Sequence, residues 1–491
     1  MKRSLQLLCL SFALTILLCS CSSVYVDLEK PDTTSAVDVD LEGEYFTDGR
    51  LYIQSRFYTD LGFIHEGSWY FVETQQYYTG NVTYDQNGNK RTEAGYGLCR
   101  RIVRMNAETG VISSPCLDPV CTHGPGSNCP LMEIEGLSLN FRLIADDWLI
   151  IEHRPSNDPV YGTLRQIHGY NIKTGKTIEL YADSFENGTF TNHEYSISVF
   201  DGKLYIVKHI MDYSATGFKP NGRKPLSDYE PATRSFLYEY DLDNNKVTEL
   251  FEIPAGAYAA RMTNKRYILY VDEEFYTCDL DGSNLQKSDG MEYFPTHKIG
   301  TLAFCYLENG FRVYDLKTNQ TTDVNIEEFK FNAMKDDVTV TANGLYFNAC
   351  TSDEEYEAVS AARKEYKNQH KDMDRAELNK LLDEMFDLNK ARYSGKAQIW
   401  RCDHDGGNMA VVIEIDNATA TFIGSTDKYA YLLLKQADPN NNYELIPSIN
   451  GGKCYTDLKT GEITPIPLLE LTLPENAWLT KEERDQAIRD W

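Results

Sequence analysis

Cys278-Asp-Leu-Asp-Gly-Ser-Asn284 is the stretch on which the fold turns, because the chain keeps returning to it. It recurs as Cys402-Asp-His-Asp-Gly-Gly-Asn408. In looser form it stands as Tyr170-Asn-Ile-Lys-Thr-Gly-Lys176, Tyr240-Asp-Leu-Asp-Asn-Asn-Lys246, Tyr314-Asp-Leu-Lys-Thr-Asn-Gln320 and Thr456-Asp-Leu-Lys-Thr-Gly-Glu462. Each phrase is an apolar strand running into a tight turn built on Asp or Asn, with Gly or Asn where left-handed backbone is needed. Self-similarity at this scale marks a solenoid or a propeller.

Working outward, a second phrase precedes each of these. It is a turn feeding an alternating aromatic strand, as in Asp201-Gly-Lys-Leu-Tyr-Ile-Val207 and Asn343-Gly-Leu-Tyr-Phe347. Asp-Gly and Asn-Gly suit the type I′ turns of two-residue hairpins. The two phrases together make four antiparallel strands, one propeller blade. The turn anchors are Asn106, Asn171, Asp241, Asp279, Asp315, Asp403 and Asp457, so the expected fold is an all-β propeller of seven blades, with six or eight as the alternatives. A strand pair at Glu44–Phe46 and Leu51–Gln54 has no turn phrase of its own, and is expected to complete the last blade. The segments Tyr77–Tyr96 and Asp212–Thr233, rich in Gly, Asn, Asp and Pro, read as long loops.

One gap between anchors holds a different pattern. Asp353–Gln369 and Asp374–Tyr393 are highly charged and helical in period, and Leu378, Leu381, Leu382, Met385 and Leu388 form one apolar stripe. Asp374 with Glu377 is a capping box. This predicts a helical hairpin, 353–393, inserted into the sixth blade. Thr480 and Glu483 open a last short helix in a C-terminal extension, 471–491.

Lys2 and Arg3 precede an apolar run from Leu5 to Leu18, too short to span a bilayer and typical of a secretory signal. The run ends in Leu18-Cys19-Ser20-Cys21, similar to a bacterial lipobox. Cys21, with small Ser20 before it, is the expected lipidation site; ordinary signal cleavage is the alternative. The expected organisation is a lipoprotein signal peptide, 1–20, a flexible tether, 21–43, and a propeller, 44–470. The expected location is the extracytoplasmic face of the cell membrane. The net charge of −26 argues against nucleic acid as a partner, and leaves membrane attachment to lipid rather than to charge.

Cys116-Leu-Asp-Pro-Val-Cys121-Thr-His123-Gly-Pro-Gly-Ser-Asn-Cys129 is the one local constellation able to carry site chemistry. Three thiols and an imidazole suit a tetrahedral structural Zn²⁺, although the spacing is not that of a standard finger. In a secreted chain the same thiols read equally as disulfides, with Cys99 as a fourth. Four protein ligands leave no open metal position, so no activated water is implied. Cys278 and Cys402, equivalent in two repeats, are expected to pack as small apolar groups.

The sequence contains no nucleophile elbow, Walker loop, dinucleotide fingerprint or H-E-x-x-H. The Asp279 and Asp403 turns lack the ligand count of a calcium loop and read as hairpins. His153, His168, His209 and His297 are candidates to line a channel, against the plainer reading as structural residues. The 33 tyrosines fit pleated sheet before sugar platforms.

With the lipobox at Cys21, the Asp-Gly-Ser-Asn and Asp-Gly-Gly-Asn turns and the cluster Cys116–Cys129 in place, the chain resembles the lipid-anchored TolB-like β-propeller lipoproteins of anaerobic Gram-positive bacteria. In that group a Cys-x-x-Pro-x-Cys-x-His-type segment ending in a further Cys recurs after an early blade; here Pro119 is the third residue after Cys116. The resemblance covers most of 45–465. It implies fold and address but no activity. The functional expectation is a membrane-tethered scaffold that binds a protein partner or an envelope glycan. The alternative is a propeller enzyme acting on glycans or peptides, whose carboxylates and His would come from different blades.

Overall fold

The computed structural model describes residues 62–490, leaving out internal stretches of which 156–165, 217–229 and 326–337 are the longest. The lipobox, the tether and the strand pair at 44–54 lie outside the described residues.

The chain is mostly β. Its described strands form seven antiparallel sheets in sequence order, occupying 63–113, 137–182, 184–253, 258–287, 297–325, 338–416 and 418–465. Each is a meander of four strands, with a short extra strand in the first, third and seventh. The predicted anchors mark them one by one. Asn106, Asn171, Asp241, Asp279, Asp315 and Asp457 each end the third strand of their sheet's four-strand meander, and Asp403 directly follows Lys396–Cys402, the third strand of the sixth.

The turns themselves show why the phrase repeats. The Asp279 amide donates to the Ser283 carbonyl at 2.8 Å, the Gly282 amide donates back to the Asp279 carbonyl at 2.9 Å, and the Asn284 side chain donates to the Asp279 carboxylate. The Asp403 turn repeats these bonds with Gly407, Gly406 and Asn408. In the looser turns Asn171 and Asp457 each accept two backbone amides through the side chain, Lys173 and Thr174 in one case and Lys459 and Thr460 in the other. Gly175, Gly282, Gly406 and Gly461 all have φ between 71° and 84°, and Asn245 takes the same region at 51°.

Packing links each sheet to the next. Phe63 and Tyr70 of the first share a cluster with Leu139, Phe141 and Trp148 of the second, which continues to Leu204 and Ile206 of the third. Tyr205 and Val207 meet Tyr267 and Leu269 of the fourth, and Ile268 and Phe275 meet Ala303 and Tyr314 of the fifth. Phe311 of the fifth lies 6.3 Å from Phe347 of the sixth. Tyr346 stacks on Phe422 of the seventh at 4.3 Å. The seventh then packs on the first: Ile423, Tyr429, Tyr431 and Ile466 share a core with Ile64, Trp69 and Phe71. The Tyr431 hydroxyl donates to the Gly67 carbonyl at 3.2 Å. This cyclic order is a propeller-type arrangement.

Two features differ from expectation. Tyr77–Tyr96 is not a loop: Ser68–Tyr84 and Lys90–Asn106 pair without interruption from Ser68↔Asn106 to Tyr84↔Lys90. Asn87-Gly88 between alternating runs was the hairpin signal for it. The seventh sheet has four strands within 418–465. The helical insertion comprises three helices, α1 (Asp353–Gln369), α2 (Arg375–Met385) and α3 (Leu388–Tyr393). Asp387 accepts the Lys390 amide and caps α3 anew, which splits the second predicted segment. Asp374 caps α2 through the Ala376 and Glu377 amides. The insertion lies between the second and third strands of the sixth sheet. α4 (Lys481–Asp490) follows the reciprocal Thr480–Glu483 box, at 3.1 and 3.2 Å. No helix of the described residues is long and apolar enough to cross a membrane.

In a four-stranded meander, the link between strands two and three and the link to the next sheet leave from the same end. That end therefore carries the helices, the long first-sheet hairpin and the loop that holds 114–133. The Asp and Asn turns leave from the other.

Candidate metal centre

The loop that carries the cysteines is an excursion from the edge of the first sheet. Val111–Ser113 pairs with Arg104–Asn106. After the excursion the chain returns to the same strand: the Ile102 amide donates to the Leu131 carbonyl at 2.8 Å, and the Glu133 amide to the Arg100 carbonyl at 2.9 Å. Between these anchors the loop bends locally. The Asp118 carboxylate accepts the Val120 amide at 3.0 Å and its carbonyl accepts the Cys121 amide at 3.2 Å. The Leu117 amide donates to the Tyr170 hydroxyl of the second sheet at 2.7 Å. His123 adopts φ 50°, the left-handed region that a side chain enters only when its surroundings require it.

The bends bring four ligand atoms together. The sulfurs of Cys116, Cys121 and Cys129 and one ring nitrogen of His123 all lie within 4.8 Å of one another. Cys129 Sγ is 3.7 Å from His123 Nδ1. Metal–sulfur bonds of about 2.3 Å and metal–nitrogen bonds of about 2.0 Å place tetrahedral ligands roughly 3.5–3.8 Å apart, so the cluster could hold a metal ion. Burial, with a smaller contribution from the Arg101 charge, lowers the His123 imidazole from the usual histidine value, towards the neutral form that ligates metal. Burial pushes the Cys129 thiol up, and Cys116 and Cys121 beside it act in the same direction. A bound cation would act in the opposite direction and hold the ligating sulfurs as thiolates.

No disulfide links the nine cysteines of the described residues in this structure, Cys99 among them. Cys99 is buried in the same apolar cluster as the loop cysteines, and burial pushes its thiol up to about 11. Cys278 and Cys402 are fully buried, as repeat-equivalent apolar positions require.

What the sequence did not flag is the support around the loop. Arg101, 1% exposed, forms an ion pair with Glu73 at 2.8 Å. It also donates to the His123 carbonyl at 2.9 Å and to the carbonyls of Leu469 and Glu470. Glu73 in turn accepts the Leu469 amide at 2.8 Å. A cavity of about 430 Å³ opens beside Arg101, Cys121, His123 and Glu470. The available signal was charge at an inward strand position: Trp69-Tyr-Phe-Val-Glu73 is matched in the second sheet by Trp148-Leu-Ile-Ile-Glu152, whose Glu152 pairs with buried Arg142.

The other candidates separate. His153 and His168 face each other at 5.5 Å, and His153 Nε2 is 3.3 Å from the Met132 carbonyl. His209 meets the Ser235 hydroxyl at 2.7 Å, and His297 lies in the first strand of the fifth sheet. The carboxylates of the Asp279 and Asp403 turns bond to their own Asn284 and Asn408. A second group of potential metal ligands, His65, Glu66 and Asp147, has Lys173 in it, 2.8 Å from Asp147.

No family model and no curated protein matches the chain. Among solved structures it is similar to an oligogalacturonate lyase in complex with manganese, at 14% identity over 47% of this chain and 55% of that one, TM-score 0.25. It is similar to the Pyrococcus horikoshii acylaminoacyl peptidase, at 12% identity over 75% and 51%, TM-score 0.38. A third is the oligogalacturonate lyase of Vibrio parahaemolyticus, at 9% identity over 82% of each chain, TM-score 0.24. The chain spans about half the length of the first two.

Proposed function

We propose that this chain is a seven-bladed propeller, tethered to the outer face of the cell membrane through lipid on Cys21, that binds a protein partner or an envelope glycan. The observation that carries the reading is the one-sided elaboration of the sheets. The helical insertion, the long hairpin and the Cys-rich loop all leave from one end of their sheets, while the other end has short, internally bonded turns. Loops on a rigid sheet scaffold are where recognition is built. In this reading Cys116, Cys121, His123 and Cys129 hold a structural Zn²⁺ that fixes one loop of that face.

Three measurements test it. Cys21→Ala should release the protein from membranes and abolish palmitate labelling; unchanged labelling would remove the anchor. Metal analysis of the purified protein should give about one Zn²⁺ per chain. A glycan array, with capture from detergent-solubilised envelopes, should yield a ligand whose binding falls on changing the elaborated face and survives changes at the Asp and Asn turns. The second reading is a propeller enzyme acting on glycans or peptides, for which the cavity beside Arg101, His123 and Glu470 is the structural argument. Turnover of a captured ligand, lost on altering that cavity, would favour it over simple binding.

A further inference from the structure

A ring of sequential sheets has one seam that chain continuity does not cover, between the last sheet and the first. Here that seam lies between the seventh sheet and the first, whose side chains share one core. After its last strand, Ile463–Pro465, the chain runs on through 466–478. Ile466 stays bonded to the seventh sheet through its amide, which donates to the Lys453 carbonyl at 2.9 Å. Leu469 and Glu470 then meet Arg101 and Glu73 of the first sheet. Further on, Ala477 and Trp478 pair with Thr79 and Tyr78 of the long hairpin. α4 sits on the same hairpin, where a Cβ at Gly80 would come within 2.7 Å of Ile488. The segment thus crosses from the seventh sheet to the first.

The Cys-rich loop holds this crossing from the other side. Arg101 bonds the His123 carbonyl with the same guanidinium that bonds Leu469 and Glu470. A Cβ on Gly124, the next residue, would lie 2.0 Å from the Thr472 carbonyl oxygen, so loop and segment touch backbone to backbone. Leu471 and Leu473 belong to the same apolar cluster as Cys116, Cys121 and Cys129. Four side chains meeting at one point set the position of His123 and Gly124, and that position determines whether the crossing segment fits.

We propose that a metal ion bound by Cys116, Cys121, His123 and Cys129 is the clasp of the ring: by fixing the loop it holds 466–478 across the seam, with Arg101 as the residue that passes the constraint. This rests on the metal-centre reading above and adds a role to it. Without the ion the loop has no cross-link, Arg101 loses a fixed acceptor, and the C-terminal segment is released along with α4.

The test is hydrogen exchange of the full chain before and after removal of the metal with a strong chelator, alongside metal analysis. The expected result is one ion per chain at the start. On its removal, exchange should rise tenfold or more in 466–490 and in the facing strands at 64–71 and 423–431, while the fourth and fifth sheets stay protected. If chelation unfolds the whole protein, Gly124→Ala carries the test, since it keeps all four ligands and pushes against Thr472. It should bind metal at wild-type stoichiometry and yet show the fast exchange at 466–490. Absence of metal from the purified protein overturns both the centre and the clasp. Bound metal with unchanged exchange at 466–490, on chelation or in Gly124→Ala, overturns the clasp alone.

Discussion

Glu73 and Arg101 show how a single inward charge organises its surroundings. Both are essentially inaccessible, and between them they bond His123, Leu469 and Glu470. Removing one partner leaves an uncompensated buried charge. Glu73→Gln should therefore cost about 3–5 kcal/mol in denaturant unfolding, whereas Glu73→Leu with Arg101→Met should cost less than the two single changes combined. Additive losses would show that the two side chains act separately. A pH prediction follows from His153 and His168. Burial holds both imidazoles below the ordinary value, so the unfolded chain takes up protons first. Stability is then complete above about pH 6.5 and declines as the pH falls from there towards the folded-state values. Replacing both with Gln should flatten that acid limb in thermal melts. At this scale the sequence was legible where chemistry is local. The four ligands stand within fourteen residues of one another and are read directly, but Arg101 and Leu469 are partners only because the seventh sheet packs on the first, and no spacing reveals that.

The turn phrase is an element-scale device, and its glycines differ in what they meet. Gly406 has φ 84°, and a Cβ there would approach Val324 Cγ1 of the fifth sheet to 2.2 Å. Gly406→Ala should destabilise the protein by about 1–3 kcal/mol, through both the backbone and the inter-sheet contact. Gly110 of the Asn106 turn, also left-handed but with only the Tyr455 hydroxyl near its added Cβ, at 3.9 Å, should suffer only the backbone effect. The helical insertion tests another element. The Thr351 amide donates to the Lys396 carbonyl at 3.0 Å, and the Lys396 amide returns a bond to the Thr351 hydroxyl. The ends of the insertion therefore already meet as a hairpin does. Replacing 352–395 with Asn-Gly should leave a cooperatively folded β protein by circular dichroism; global unfolding would assign α1–α3 to the core. The helices were legible from their period and caps. The break at Asp387 was not, because an Asp inside an apolar stripe reads equally as a surface residue and as a new cap. Tyr77–Tyr96 reads as a loop in sequence because its Gly, Asn and Asp residues, Gly80 and Gly95 among them, lower strand propensity. In the structure Gly80 makes room for Ile488 of α4 and Gly97 for Tyr77.

For the whole molecule the repeat gave the number of anchors, and each anchor ends or adjoins one strand of one described sheet. What repetition could not show is how the last unit meets the first. The strands at 44–54 expected to complete the last sheet lie outside the described residues. Among the described residues the meeting is made by side chains far apart in sequence, with Trp69 and Tyr431 rings 5.6 Å apart and edge-on. Cyclic packing of seven sheets is the claim on which the binding face, the seam and its clasp all rest. A double-mutant cycle on Trp69→Leu and Tyr431→Leu measures it most directly. Contact across the seam predicts a coupling energy of about 0.5–1.5 kcal/mol in equilibrium unfolding. Strictly additive losses would mean that the first and last sheets do not touch, and would contradict the ring.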